Sequence, residues 1–172
     1  MLFRSLQYLF AQINPHFLYN TLDCIKELCA CNENEKAEEM IEQLAVFYRI
    51  GVSKGKSYIP LEDELKHVSA YLSILQTRFE DFQFFIELPE ELKSACVLRM
   101  ILQPIVENAV YHGIRPYRTD GTVRIVAVKE GGNVEIHVKD DGGGVAKDIL
   151  LKVRKSLDEP ICEYSEKSYG VY

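Results

Sequence analysis

Ala11-Gln12-Ile13-Asn14-Pro15-His16-Phe17-Leu18-Tyr19-Asn20 is the stretch of this chain that ordinary folding requirements do not account for. Around it Leu2, Leu6, Leu9, Ile13, Phe17, Cys24 and Leu28 recur at helical steps, as on one face of a long amphipathic helix. Pro15 falls inside that pattern, where a proline removes a backbone donor, clashes one turn back and costs about 3 kcal/mol. The expected consequence is a local kink that presents His16 outward, with Asn14 and Asn20 as neutral hydrogen-bonding neighbours. Imidazole is a nucleophile near neutral pH and takes a phosphoryl group on a ring nitrogen. A partly buried histidine beside an accidental kink is the plain alternative.

The run Gln12-Ile13-Asn14-Pro15-His16-Phe17-Leu18-Tyr19-Asn20-Thr21-Leu22 resembles the phospho-acceptor motif of the LytS/YesM-type sensor histidine kinases. In that family the histidine receives the γ-phosphoryl group of ATP, so the resemblance implies that role for His16, with Asn20 beside it in the catalytic set. Phe17, not an acidic residue, follows His16 directly, which leaves the base assisting His16 unassigned.

Length and composition set the frame. The 172 residues fit one large or two small domains, and 47% apolar content with ten Tyr and eight Phe supports a real core. A net charge of −6, with no compensating Lys/Arg cluster, argues against direct contact with nucleic acid. The five cysteines are odd in number and lack paired Cys-x-x-Cys spacing, so inert thiols are expected; the close spacing of Cys24, Cys29 and Cys31 leaves a redox sensor open. No apolar run approaches the roughly 20 residues that span a bilayer, and no signal peptide opens the chain, so a soluble piece is expected.

A second helix is expected from Glu35 to Val52, with Ala37, Ile41, Leu44, Ala45 and Tyr48 on one face and Glu38, Glu39 and Glu42 on the other. The two helices make a hairpin. A lone hairpin buries too little, so a second copy is the natural partner, giving a four-helix dimer; the alternative is packing on the rest of the same chain. Ser53-Lys54-Gly55-Lys56-Ser57 reads as a join, which divides the chain into 1–55 and 56–172. Pro60 with Leu61-Glu62-Asp63-Glu64 starts a third helix to Phe79, carrying Leu65, Val68, Tyr71, Leu72 and Leu75 inward and ending in Gln76-Thr77-Arg78-Phe79, as in the family. Arg78 reads as a solvated helix-end charge, with phosphate contact as the alternative. A strand over Gln83–Leu88, a turn or loose helical stretch over Glu90–Ser94 and a helix over Leu98–Tyr111 interrupted by Pro104 follow. Thr122–Lys129 and Val134–Lys139 alternate as two antiparallel strands joined at Gly131-Gly132-Asn133, with His137 an exposed strand residue. Lys147–Leu157 patterns as a short amphipathic helix.

Two further motifs agree with the first. Leu102-Gln103-Pro104-Ile105-Val106-Glu107-Asn108-Ala109-Val110-Tyr111-His112-Gly113 resembles the family's N-box, although its apolar residues also suit a packed core helix. An Asn oxygen is able to complete magnesium coordination beside phosphate oxygens and water. The resemblance gives that role to Asn108 and puts Glu107 and His112 near the phosphates, with Tyr111 where many relatives carry Lys. Asp140-Asp141-Gly142-Gly143-Gly144-Val145 follows the last strand and resembles the G1 box of GHKL ATP-binding folds. A strand-end Asp accepts from an adenine amino group, and residues without side chains let the backbone approach the purine. Asp140 matches the adenine-reading Asp, and Gly142 and Gly144 the family's glycines; Asp141 replaces a more usual Asn. The ATP lid then falls at about Val145–Lys167. Ser168-Tyr169-Gly170-Val171-Tyr172 resembles the opening of the second glycine box, with Gly170 in a nucleotide-binding position, and the sequence stops inside it.

The expected fold is α+β: a dimerising hairpin over 1–55, then a C-terminally truncated GHKL-type sandwich over 56–172. The resemblance implies a two-component sensor kinase that uses ATP and Mg2+, phosphorylates His16 and passes the group to a response-regulator aspartate. It also implies a homodimer and a cytoplasmic location, with the membrane reached only through upstream regions. Two other functions fit the same residues: a GHKL-type ATPase or serine kinase, and a catalytically silent dimerisation module.

Overall fold

In the computed structural model, residues 14–52, 57–117 and 119–158 are described. The first of them, Asn14, has extended backbone (φ −69°, ψ 99°), and its side-chain oxygen accepts from the Phe17 amide at 3.2 Å. That is a helix N-cap, and Pro15 takes the first position of helix α1 (Pro15–Ala30), where the missing N–H has no intrahelical partner to lose. The interruption expected at Pro15 is thus, on its C-terminal side, the start of a helix. Leu2, Leu6, Leu9 and Ile13 lie outside the described residues.

Helix α2 (Asn34–Gly51) follows a turn in which Asn32 has φ 62°, a conformation asparagine tolerates. α1 buries Phe17 and Thr21, and α2 buries Ala37, Met40, Phe47 and Gly51. Ile41 and Ala45 are exposed, against expectation, because the face of α2 turned inward runs through Met40 and Phe47; Leu44 and Tyr48 lie half-buried at its margin.

Strand β1 (Tyr58–Pro60) leads into α3 (Leu61–Phe79), whose first turn carries Glu62, Asp63 and Glu64 at the positive end of the helix dipole. Leu65, Val68, Tyr71, Leu72 and Leu75 are buried as their spacing predicts, and Glu64 and His67 are buried among them. α3 is covered on more than one side: α2 packs on it, and so do α4 (Gln103–Asn108) and β2 (Phe82–Glu87).

After a 3₁₀ turn at Glu90–Leu92, Cys96–Leu98 forms β3, paired antiparallel with β1 from Pro60↔Cys96 to Tyr58↔Leu98. Leu98 is thus in a strand, and the helix expected from there begins only at Gln103. Pro104 stands in its first turn and does not interrupt it. α4 runs on into a π-helical turn over Ala109–Ile114.

Strands β4 (Gly121–Glu130) and β5 (Asn133–Asp140) complete a sheet of order β2-β4-β5, parallel between β2 and β4 and antiparallel between β4 and β5. Among the described residues β5 is an edge. Gly131, at φ 59°, supplies the turn between the last two strands. One core runs from Phe17, Met40 and Phe47 through Leu72 and Leu75 to Val106, Val110, Val123 and Ile125. Burying each such side chain contributes about 1.5–3 kcal/mol. Helix α5 (Lys147–Asp158) follows with Ile149, Leu150, Leu151 and Val153 exposed. No described helix is long and apolar enough to cross a membrane.

Candidate functional site

His16 sits in the first turn of α1 and is exposed, while the adjoining Phe17 is 4% exposed. Successive helical residues point about 100° apart, so packing Phe17 inward leaves the imidazole in solvent. Asn20, one turn on, brings its Nδ2 to 3.2 Å from Nδ1 and 3.1 Å from Nε2 of His16. Asn14 does not join that group, because its carboxamide oxygen is used by the helix cap.

The N-box residues divide between two environments. Gln103 Nε2 donates to Glu107 Oε1 at 2.8 Å. Glu107 is half-buried, whereas Asn108 and His112 are exposed. Burial, with the Glu107 charge adding to it, pushes the Tyr71 hydroxyl far above the ordinary phenol range, so it stays a donor.

The approach to α4 is fixed by a residue that sequence reading assigned only to a helix first turn. Glu64, 0% exposed, accepts from the backbone N–H of Met100 at 2.8 Å and of Leu102 at 2.9 Å. Met100 itself has φ 59°. The signal in the sequence was a carboxylate lying on the stripe of Val68, Tyr71 and Leu75, where a charge requires buried partners.

At the far end of the π-helical turn, Gly113 receives the Asp-Gly loop. Gly143 N donates to Gly113 O at 2.9 Å, and a Cβ on Gly142 would fall on that same carbonyl. A Cβ on Gly113 would approach Asp140 Oδ1 to 2.6 Å. Asp140 is exposed at the end of β5, and its Oδ1 accepts from Gly142 N at 3.0 Å. Gly144 has φ 70° and open space around it. The glycines thus serve different needs, close approach at Gly142 and backbone conformation at Gly144. Asp141 turns away to accept from Thr122 N at 2.7 Å, so its carboxylate closes the β4–β5 ladder. Gly170 lies outside the described residues.

The structure therefore brings Asp140, Gly142 and Gly143 against Gly113 at the end of the N-box, with Gly144 next along the loop, and places His16 with Asn20 on α1. Arg115, which sequence reading passed over, pins this corner: its guanidinium lies 3.6 Å over the Phe79 ring and its Nε 3.2 Å from Asp81 Oδ2. Arg78 also lies over Phe79, 4.7 Å from its ring centroid, as a helix-end charge. His137 is exposed on β5 beside Glu135. Cys24, Cys29, Cys31 and Cys96 are free thiols, and burial pushes Cys24 up, which makes it less reactive.

Among the described residues no group of three or more His, Cys, Asp or Glu is arranged to hold a metal ion by itself. Asn108 is exposed and neutral, a donor of the kind that fits magnesium, which takes few protein ligands and fills its shell with phosphate oxygens and water.

Two family models match the chain: histidine kinase over residues 4–83, and histidine kinase-, DNA gyrase B- and HSP90-like ATPase over residues 97–170. The chain is 37% identical over 140 residues to the sensor histidine kinase BtsS of Escherichia coli K12, which covers 81% of this chain and 25% of that protein. It is 36% identical over 147 residues to the sensor histidine kinase YesM of Bacillus subtilis 168, covering 85% of this chain and 26% of YesM. With the sensor protein LytS of Oceanobacillus iheyensis it shares 35% identity over 170 residues, 98% of this chain and 28% of LytS. The chain spans about a quarter of the length of these curated relatives. With the acceptor-type helix ahead of the ATPase-type module, in one order and over most of its length, the chain belongs to the LytS/YesM-type sensor histidine kinases.

Proposed function

We propose that this chain is the kinase part of a two-component sensor, which phosphorylates itself on His16 at the expense of ATP and passes the group to an aspartate of a response regulator. The observation that carries the reading is the exposed His16 imidazole on a capped helix start, held from behind by buried Phe17. Its lone pair attacks the γ-phosphorus; the N–P bond forms as the bond to the β-phosphate oxygen breaks, ADP leaves and the ring proton passes to solvent. Asn20 orients the ring from 3.1–3.2 Å. Asp140 accepts from the adenine amino group, and Gly142 and Gly144 keep side chains away from the purine. Asn108 supplies the magnesium ligand, and His112 and Glu107 serve the phosphate end. Magnesium, when bound, neutralises phosphate charge, and positioning supplies most of the remainder.

In the same reading residues 1–55 form the acceptor and dimerisation hairpin and residues 56–172 the nucleotide-binding part. The protein works as a homodimer on the cytoplasmic side, reaching the membrane through upstream regions. Exposed Tyr19, Leu22 and Ile41 on the hairpin support the dimer.

The test is incubation with γ-labelled ATP followed by acid and base treatment. Phosphohistidine is lost in acid and kept in base, and His16→Gln is expected to abolish the label while nucleotide binding persists. Label that survives acid points to a hydroxyl acceptor, and label retained by His16→Gln removes His16 from the role.

A further inference from the structure

Three consecutive glycines, Gly142-Gly143-Gly144, follow Asp140-Asp141, and glycine loses more conformational freedom on ordering than any other residue. Each of them needs a reason. Gly142 has the Gly113 carbonyl where its side chain would stand, and Gly144 has φ 70°. Gly143 has neither: among the described glycines positive φ falls at Gly131 and Gly144, so the backbone at 143 does not call for glycine. What occupies its side-chain position is the ring of Tyr117. A Cβ at Gly143 would stand 2.5 Å from Cδ2 and 2.6 Å from Cε2 and Cγ of that ring. Carbon atoms in contact need about 3.5–4 Å. Cγ is the root of the ring, one bond from the Tyr117 Cβ, so turning the ring does not clear the overlap.

The ring stands on a fixed base. Tyr117 N donates to Ile114 O at 2.9 Å, and buried Ile114 lies so close to the start of β4 that a Cβ on Gly121 would strike it. Between the two, Arg115 is fastened over Phe79 and to Asp81, and Pro116 has a locked φ. Tyr117 itself is 65% exposed, so its ring is no part of the core, and its contact serves the loop. With Gly142 N on Asp140 Oδ1 and Gly143 N on Gly113 O, the ring is a third restraint on a segment that has no side chains of its own.

We infer that Tyr117 is a positioning residue for nucleotide binding: its ring, laid on Gly143, clamps the Asp140–Gly144 loop against Gly113, and its bulk is what requires glycine at 143. This rests on the nucleotide-binding reading above. A loop ordered before its ligand arrives binds more tightly than one the ligand must order. The restraint includes Asp140, through its bond from Gly142 N, and stops short of Gly144, around which the space is open.

The test is a size-swap cycle on the full chain with Tyr117→Ala, Gly143→Ala and both, read as the dissociation constant of ADP by calorimetry. Tyr117→Phe, which keeps the ring, is expected to hold ADP within about twofold of the unaltered chain, and Tyr117→Ala to weaken it about fivefold. Gly143→Ala is expected to weaken ADP at least about tenfold, because its methyl forces the ring or the loop aside. In the Tyr117→Ala background the same methyl has room, and the double variant is expected to bind within about twofold of Tyr117→Ala alone. Losses that add, or an unchanged dissociation constant in either single alanine variant, overturn the inference. Amide hydrogen exchange without nucleotide gives a second reading: Tyr117→Ala is expected to speed exchange at Gly143 about tenfold and to leave the amides of α3 as they were. Unchanged exchange at Gly143 overturns the clamp. If the unaltered chain binds no ADP, the nucleotide-binding reading is what fails, and exchange then decides the clamp alone.

Discussion

Glu64 is a charge at 0% exposure whose two oxygens are each committed to a backbone N–H. Removing it leaves the buried Leu102 donor and the part-buried Met100 donor without that acceptor, so Glu64→Ala is expected to cost about 3 kcal/mol and Glu64→Gln, which keeps one acceptor, less, as read from urea midpoints. His67, 0% exposed and stacked 4.5 Å from the Phe47 ring, has both ring nitrogens without partners. Desolvation, assisted by the Arg99 charge, lowers it to about 4. The unfolded chain therefore binds a proton that the folded chain refuses between the ordinary value near 6.5 and about 4. The stability this confers is complete above that window and lost as pH falls through it, by up to about 1.4 kcal/mol per pH unit. His67→Phe is expected to flatten that part of the stability–pH curve relative to the unaltered chain; parallel curves would show that His67 contributes nothing. If Asp140 reads the adenine amino group as proposed, Asp140→Asn sets an amide donor against it, and adenine-nucleotide affinity is expected to fall at least about tenfold by calorimetry.

Among the elements, α1 depends on its start. Asn14→Ala removes the acceptor for Phe17 N and is expected to cost about 1 kcal/mol, visible as a lower Tm with unchanged helix content below the transition. The loop after β5 depends on having no side chain at Gly142, and Gly142→Ala is expected to force the Asp140 loop off Gly113 at about 1–3 kcal/mol, with weaker nucleotide binding. α3 and the β4–β5 hairpin were legible because their side chains repeat with a single period over many residues, as Leu65, Val68, Leu72 and Leu75 do. β3 was not: Cys96–Leu98 is too short to show alternation and exists only because Tyr58–Pro60 lies opposite. Pro15 was legible as a break but not as a helix start. The same proline is a fault within a helix and a good residue at its start, and only the backbone of Asn14 tells the two apart. The site motifs were readable as residue types, but the meeting of Asp140 with Gly113 depends on tertiary packing that spacing does not encode.

In the whole molecule, one core joins the hairpin to the sheet through α3, so α1 and the nucleotide-side corner are held in one packed body. The hairpin still shows Tyr19, Leu22 and Ile41 to solvent. If those residues meet a second copy, Leu22→Asp combined with Ile41→Asp is expected to halve the mass seen by light scattering while leaving the helical signal intact; an unchanged mass would place the dimer contact elsewhere. The sheet carries a different consequence. Among the described residues Asn133–Asp140 pairs with β4 alone, and its other rim offers a row of open amides and carbonyls. Glu135, His137 and Lys139 crowd one face of that rim with charge and polarity, which discourages a foreign strand from zipping onto it. Replacing Glu135 and Lys139 with valine would strip that protection, and the molecule would be expected to polymerise into thioflavin-positive ribbons at concentrations where the parent stays clear.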